Sequence, residues 1–466
     1  MPNAFAQLML LAWPFASLAL FRALAPGRAL IASMLIAYLV LPPAPAGVDL
    51  PLLPPLTKDT IPALVAFLIV IVMHREGLRL WPRNRLAQGL ILVFVFSPVL
   101  TVIANPQPII AGSWVTPGLT SHDAIAWTVN QALVLLPFLM ARALLASPGD
   151  HRDLLFATLI AGLAYSLPLL LEVRLSPILN LRLYGYYQHA IAQSVRGDGF
   201  RPLVFLQHGL WAAFLVMSSV LAAVALARAE EGSRRVALLF AGFYMLVVLV
   251  LCKSLASLLY ALAGVPLILM LPQRWHIHIA AALACLTLVY PAAKAVNLVP
   301  EQALLAAAAD ISPDRAQSLG FRFENEALLL QRAEERPLLG WGGWGRHLVR
   351  DSQTGQQISV SDGQWIVTLG TWGWLGFIAQ FGILVLPILA IWGRMIRFGP
   401  ETLAPLVGPI LLLYGINLVD LIPNATLTPV TWLIAGGMLG YSEGSAAASV
   451  SAPQGARRPA PIRTVL

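Results

Sequence analysis

Charge is what this chain has least of. Acidic and basic residues together make up 11% of its 466 positions, against 58% hydrophobic ones. A soluble fold of this length cannot present so little charge to water, so the composition excludes a soluble enzyme and indicates an integral membrane protein. Cysteine is nearly absent as well. Cys252 and Cys285 lie in or at the ends of apolar runs, which excludes a disulfide framework and a thiolate metal centre. The histidines are scattered apart from His276 and His278, and no carboxylates accompany them at ligand spacing, so neither metal nor cofactor is expected. The first cation, Arg22, follows the first apolar run instead of preceding it, so no secretory n-region is expected and the N-terminus is expected to face outward.

What fills the chain is a succession of apolar runs near 4–21, 29–43, 61–73, 87–104, 123–141, 153–171, 203–227, 236–251, 255–271, 277–293, 364–391, 402–419 and 428–442. Runs of this length predict an all-α integral membrane protein of about 12 to 13 transmembrane helices, since a barrel would show short alternating strands. Arg22 and Arg28, HREGLRLWPRNR, Arg142 and Arg152, RAEEGSRR, Arg274, GRMIR and ARRPAPIR fall on alternate links. Those links are expected to be cytoplasmic. Residues 1–443 form one polytopic domain on this reading, and 444–466, rich in Ala, Ser and Pro, a disordered cytoplasmic tail.

On the opposite side two links, 172–202 and 294–362, gather most of the cations. Clustering of that kind suits an anionic ligand at the outer leaflet, a diphosphate headgroup or an acidic sugar, because Arg forks match such oxygens. The longer link is the chain's most informative stretch. Within it, Phe321–Arg336 reads as an amphipathic helix: Phe321, Leu328, Leu329 and Ala333 alternate with Arg322, Glu326, Arg332 and Arg336. The i,i+4 pairing of Arg322 with Glu326 suggests a surface helix lying on the headgroups. Pro337 stops it, and LLGWGGWGRH follows. Its glycines permit a tight backbone, and Trp341 and Trp344 suit either an interfacial belt or a platform for glycans. The next run opens SDGQWIVTLGTWGWLGF, with Asp362 at its mouth and Gly370, Gly373 and Gly376 spaced for close helix packing.

Taken in order, Arg322, the Pro337-Leu338-Leu339-Gly340-Trp341-Gly342 turn, Asp362 and Gly373-Trp374-Leu375-Gly376 resemble the motifs of the O-antigen ligase and polymerase family of polytopic bacterial membrane glycosyltransferases. GDGFRPLVFLQHGL resembles the family's first arginine region, and YGINLVDLIPNATLTPVTWLIAGGMLGY its closing helices, so the likeness spans about 196–442. It implies a C-type glycosyltransferase-like bundle with one long periplasmic loop, in the bacterial inner membrane. The implied enzyme is inverting and metal-independent, uses no nucleotide sugar, and transfers a polyprenyl-diphosphate-linked glycan to a glycan or lipid acceptor in O-antigen or exopolysaccharide synthesis. Membrane lipids and polysaccharide-assembly proteins are the implied partners, with no nucleic acid. Two departures stand out. Asp362-Gly363 occupies the place where ligases carry His-Asn, and Lys253-Ser254 the place of a Ser-Arg pair.

Such a reaction needs cations for the leaving diphosphate and a base for the acceptor hydroxyl. Arg201 and Arg322, with Lys253 third, are the diphosphate candidates; loop salt bridges and snorkelling are the competing roles. Asp362 is the candidate base and His208 its rival, one turn inside the run that follows Arg201; a helix cap or a structural contact are the alternatives. Trp341, Trp344, Arg346 and Asp420 are candidate glycan or acceptor contacts, although Asp420 and Asn424 around Pro423 also read as a turn. Ligation to a lipid or protein acceptor stays open beside polymerisation. A lipid-linked glycan transporter or flippase is the alternative from another class, against which stand the absence of an internal repeat and the placing of the cations in loops.

Overall fold

The computed structural model describes residues 1–49, 54–74, 77–189, 191–196 and 199–451. The chain is overwhelmingly helical. In order run α1 (Ala4–Ala23), α2 (Pro26–Val40), α3 (Ile61–Met73), α4 (Arg85–Ile103), α5 (Ser121–Leu144), α6 (Pro148–Leu175), α7 (Leu179–Tyr184) and α8 (Gly209–Arg228). Then follow α9 (Gly232–Leu251), α10 (Leu255–Met270), α11 (Gln273–Ala295), α12 (Glu301–Ile311), α13 (Pro313–Glu334), α14 (Gln364–Phe398), α15 (Val407–Asp420) and α16 (Pro429–Ser451). Sheet is confined to two small hairpins, β1 (Ile109–Ala111) with β2 (Trp114–Thr116), and β3 (Val195–Arg196) with β4 (Gly199–Phe200).

Each apolar run of the sequence falls on a helix, and α7, α12 and α13 are the helices that fall within the two cation-rich links. Among the described residues, eight helices are long and apolar enough to cross a membrane, and α2, α3, α10 and α15 are shorter apolar helices. Local chemistry sets several starts. Ser147 and Asp150 form a reciprocal capping box ahead of α6, Thr120 and Asp123 another ahead of α5, and Asn84 caps α4 through Leu86 and Ala87, each satisfying amides that a helix cannot pair internally. Residues 452–466, most of the expected tail, lie outside the described residues; α16 itself runs on to Ser451.

The core centres on α8, whose residues from Leu215 through Ala227 are all buried. A helix apolar on every face belongs in the interior of a bundle, and α6, α9, α10 and α15 pack around it. By contrast, α9 exposes Phe240 and Phe243 outward, as a helix facing hydrocarbon does.

Cross-links sort the connections to two ends. At one, Arg28 pairs with Asp153 at 2.6 Å, Arg152 with Glu230 at 2.6 Å, and buried Arg142 with Glu443, while Gln273 donates to the Ala404 carbonyl. At the other, Tyr184 donates to the Val40 carbonyl, Arg336 to that of Ala104, and Gly112 to that of Ser352. This second end carries both cation-rich links.

Candidate functional site

The glycine motifs interlock. Helix α14 is broken at Gly373, where φ is 65° and ψ is −170°, a region open in practice only to glycine. The break frees backbone groups that the 337–342 turn takes up: Trp341 N donates to Gly370 O and Gly342 N to Thr371 O, both at 2.9 Å. In return Trp374 N donates to Pro337 O at 2.8 Å and Leu375 N to Leu338 O at 3.2 Å. A Cβ on Gly340 would lie 2.4 Å from Thr371 O, and one on Gly373 2.3 Å from the Leu338 carbonyl carbon. The expected helix-packing role is therefore corrected for Gly373, which interrupts its helix and receives a loop, while Gly370 and Gly376 stay buried within the helix.

The amphipathic helix is also more than a surface element. It starts at Pro313, eight residues before the expected Phe321, and buries Phe323, Asn325, Glu326, Leu329, Leu330 and Ala333. Glu326 does not pair with Arg322. It accepts from Tyr290 at 2.9 Å and lies 3.5 Å from Lys294, while Asn325 accepts the Val360 amide at 2.6 Å. Burial raises the Glu326 pKa, with Tyr290 and Lys294 opposing the rise. These buried contacts fix α13 against α11 and α14.

Freed from Glu326, Arg322 turns to Asp362, Nε to Oδ2 3.6 Å, and to the Pro423 carbonyl at 3.4 Å. Asp362 precedes the N-cap, Gly363, and does not cap α14. Its carboxyl pKa is raised by burial, with Arg322 pulling it back down. The side chain stays 40% exposed, which leaves it reachable.

Arg201 sits in a segment without regular structure, 201–208, and side chains from elsewhere satisfy that backbone. Glu172, at the end of α6, accepts Leu203 N at 2.9 Å and Val204 N at 2.7 Å through one oxygen, and Leu179 N at 3.0 Å through the other. Tyr165 accepts Phe205 N, Lys58 donates to Phe205 O, and Gln188 to Val204 O and Leu206 O. So braced, Arg201 donates to the Lys253 carbonyl at 3.0 Å. Lys253 itself occupies the break between α9 and α10 with φ 52°. Because α8 begins only at Gly209, His208 is not one turn inside a helix. It is the N-cap, accepting from Leu210 N at 3.0 Å, and its ring centroid lies 4.5 Å from that of His189, the planes tilted by 52°.

Arg201, Lys253 and Arg322 converge on one cavity of about 800 Å³, walled by α10, α12 and α13 and reached by Asn424. Asp362 stands at its edge through Arg322. His208 is not among the lining residues. Two participants escaped the sequence reading. Arg315 lines the same cavity, and its signal was there, seven residues before Arg322 and thus on the same helical face. Glu172 is the other, a lone carboxylate closing an apolar run, which ought to have marked a built polar site.

The remaining candidates divide. Asp420 is buried, accepting from Asn424 at 2.8 Å, Thr426 at 2.7 Å and Tyr260, so it builds the turn beneath the cavity. Trp341 is a buried ring between Arg332, 3.4 Å away, and Arg336, 4.6 Å away, with its N–H on the Arg332 carbonyl. An open stacking platform is thereby excluded for Trp341. Arg346, 2% exposed, gives all its bonding to the Trp341, Pro117 and Gln107 carbonyls. Trp344 alone of this group is open, 68% exposed with its N–H on Asp123 at 2.8 Å.

No family model matches this chain, and no curated protein matches it.

Proposed function

We propose that the protein is a membrane glycosyltransferase which polymerises or transfers polyprenyl-diphosphate-linked glycans at the periplasmic face of a bacterial inner membrane. The observation that carries this reading is the meeting of Arg201, Lys253, Arg315 and Arg322 around one cavity, with an ionisable carboxylate, Asp362, held beside the last of them. A group of cations with Asp314 as the lining carboxylate suits a ligand of more than one negative charge.

In the proposed reaction an acceptor hydroxyl attacks the anomeric carbon, its proton passing to Asp362. The new glycosidic bond forms as the carbon–oxygen bond to the diphosphate breaks, with inversion, and the electron pair leaves on the diphosphate. Arg201, Lys253, Arg315 and Arg322 hold that growing charge; preorganised donors of this kind contribute on the order of 3 kcal/mol each to a transition state. The raised pKa of Asp362 makes it a better proton acceptor than an ordinary aspartate once ionised. Asp362 at the place of the ligase His-Asn pair favours polymerisation over ligation.

The test is transfer from a labelled polyprenyl-diphosphate oligosaccharide by purified, reconstituted protein supplied with acceptor. Covalent product is expected, and Arg201→Ala or Arg322→Ala should each lower its rate about 100-fold or more. Donor translocated across the bilayer with no covalent product would establish a flippase instead, and full polymer synthesis by both variants at normal expression would refute the catalytic role.

A further inference from the structure

A second cationic cavity, of about 380 Å³, lies further along α13. Ser318, Leu319 and Arg322 line the first cavity from the opening half of α13, and Leu328, Arg332 and Glu335 the second from its closing half. Its other walls are the β1–β2 hairpin and the 345–352 turn, tied together by Gly112 N on Ser352 O at 2.8 Å.

Three guanidiniums, Arg332, Arg346 and Arg350, line this cavity against one carboxylate, Glu335, which leaves two positive charges in surplus. Arg346 is compensated by carbonyls alone. Burial lowers the Arg346 pKa, and Arg336 and Arg332 lower it further by repulsion. A fold rarely gathers like charges at a half-buried site without an anion to hold them. Two of the cations are stacked on indoles, Arg332, which also pairs with Glu335 at 2.6 Å, over Trp341 at 3.4 Å and Arg350 over Trp114 at 4.0 Å. Stacking holds each guanidinium plane; Nε of Arg332 is buried without a hydrogen-bond partner, and Arg350 spends one donor on the Gly355 carbonyl. Planar forks presented edge-on match a carboxylate bidentately. Around them, Ile110, Leu328 and Leu348 offer an apolar wall suited to the C–H face of a sugar ring. The volume falls within the range of about 300–1,000 Å³ usual for small-ligand sites; an acyl chain would need a longer apolar groove.

We propose that this cavity binds the carboxylate of an acidic saccharide, a uronate-type unit of the glycan. The inference rests on the reading that the protein handles glycans, and it adds the class of sugar. Arg322 and Arg332 are ten residues apart, roughly 15 Å along the helix, so the site holds a part of the chain remote from the bond being made.

Binding of trigalacturonate and of maltotriose to the purified full-length protein, by calorimetry, tests this. Trigalacturonate should bind, maltotriose about tenfold more weakly or worse, and the acidic ligand should loosen as salt is raised. Arg350→Gln and Arg332→Gln should each weaken trigalacturonate about tenfold, or ~1.4 kcal/mol. Melting curves of the variants report their folding, and Arg350→Gln, outside every helix, guards against a fold defect in Arg332→Gln. Equal binding of the neutral trisaccharide, undiminished affinity in both variants, or displacement by phosphatidylglycerol vesicles but not by phosphatidylcholine ones would each overturn the proposal. Trigalacturonate binding without any transfer of labelled donor would overturn the glycosyltransferase reading and leave this site standing.

Discussion

Replacing Gly373 by alanine should separate the two halves of the motif-bearing region. At φ 65° and ψ −170° an alanine costs about 1–3 kcal/mol in backbone strain alone. Its Cβ would also stand 2.3 Å from the Leu338 carbonyl carbon and 2.5 Å from Leu339 N, atoms that cannot rotate away. Relief requires the 337–342 turn to withdraw, and the four backbone hydrogen bonds across the interlock are together worth roughly 2–6 kcal/mol at ~0.5–1.5 each. The combined loss should lower the melting temperature of the detergent-solubilised protein by about 5 °C or more. Gly393→Ala is the internal control, in the same element with nothing within 4 Å of its Cβ. There alanine should be neutral or stabilising by ~0.5–1 kcal/mol, as it is in a helix interior. Equal melting temperatures for the two variants would refute the interlock.

Two further predictions concern the cavity. Because the Asp362 pKa is raised and the base acts only when ionised, transfer should rise with pH along an acid limb whose midpoint lies above the ordinary aspartate value of about 3.9; Asp362→Asn should abolish that limb along with the rate, and an unshifted limb in the variant would assign the base elsewhere. Glu172→Gln puts an amide that cannot accept where a carboxylate oxygen accepts Leu179 N or the Leu203 and Val204 amides, at a cost of about 1–3 kcal/mol. The Leu203 and Val204 amides should then exchange hydrogen faster in mass spectrometry and donor turnover should fall, whereas unchanged exchange would show that Glu172 does not brace the Arg201 segment.

The helical runs were legible because length and hydropathy are one-dimensional properties, and each of them falls on a helix. Arg201, Lys253 and Arg322 were legible as cations out of place in apolar or outward links. What they would touch was not. The i,i+4 rule pointed Arg322 at Glu326, yet burial of the other face of α13 hands Glu326 to Tyr290 and Lys294 and leaves Arg322 to Asp362. Local spacing could not know that a neighbouring helix competes for the same carboxylate. The placing of His208 one turn inside a helix failed for a similar reason, since the preceding segment is held out of the helix, which starts at Gly209, by Glu172, thirty-six positions earlier in the chain.

By itself, then, the sequence determined that the chain is a bundle of apolar helices and which of its links carry the cations, because hydrophobic periodicity and charge are written residue by residue. Only the tertiary structure decided that Arg201, Lys253, Arg315 and Arg322 share one cavity, that the glycine motifs lock a loop into a broken helix, and that the two halves of α13 line two cationic cavities. Those outcomes depend on which distant groups compensate a buried amide or carboxylate, and such pairings exist only once the helices have packed.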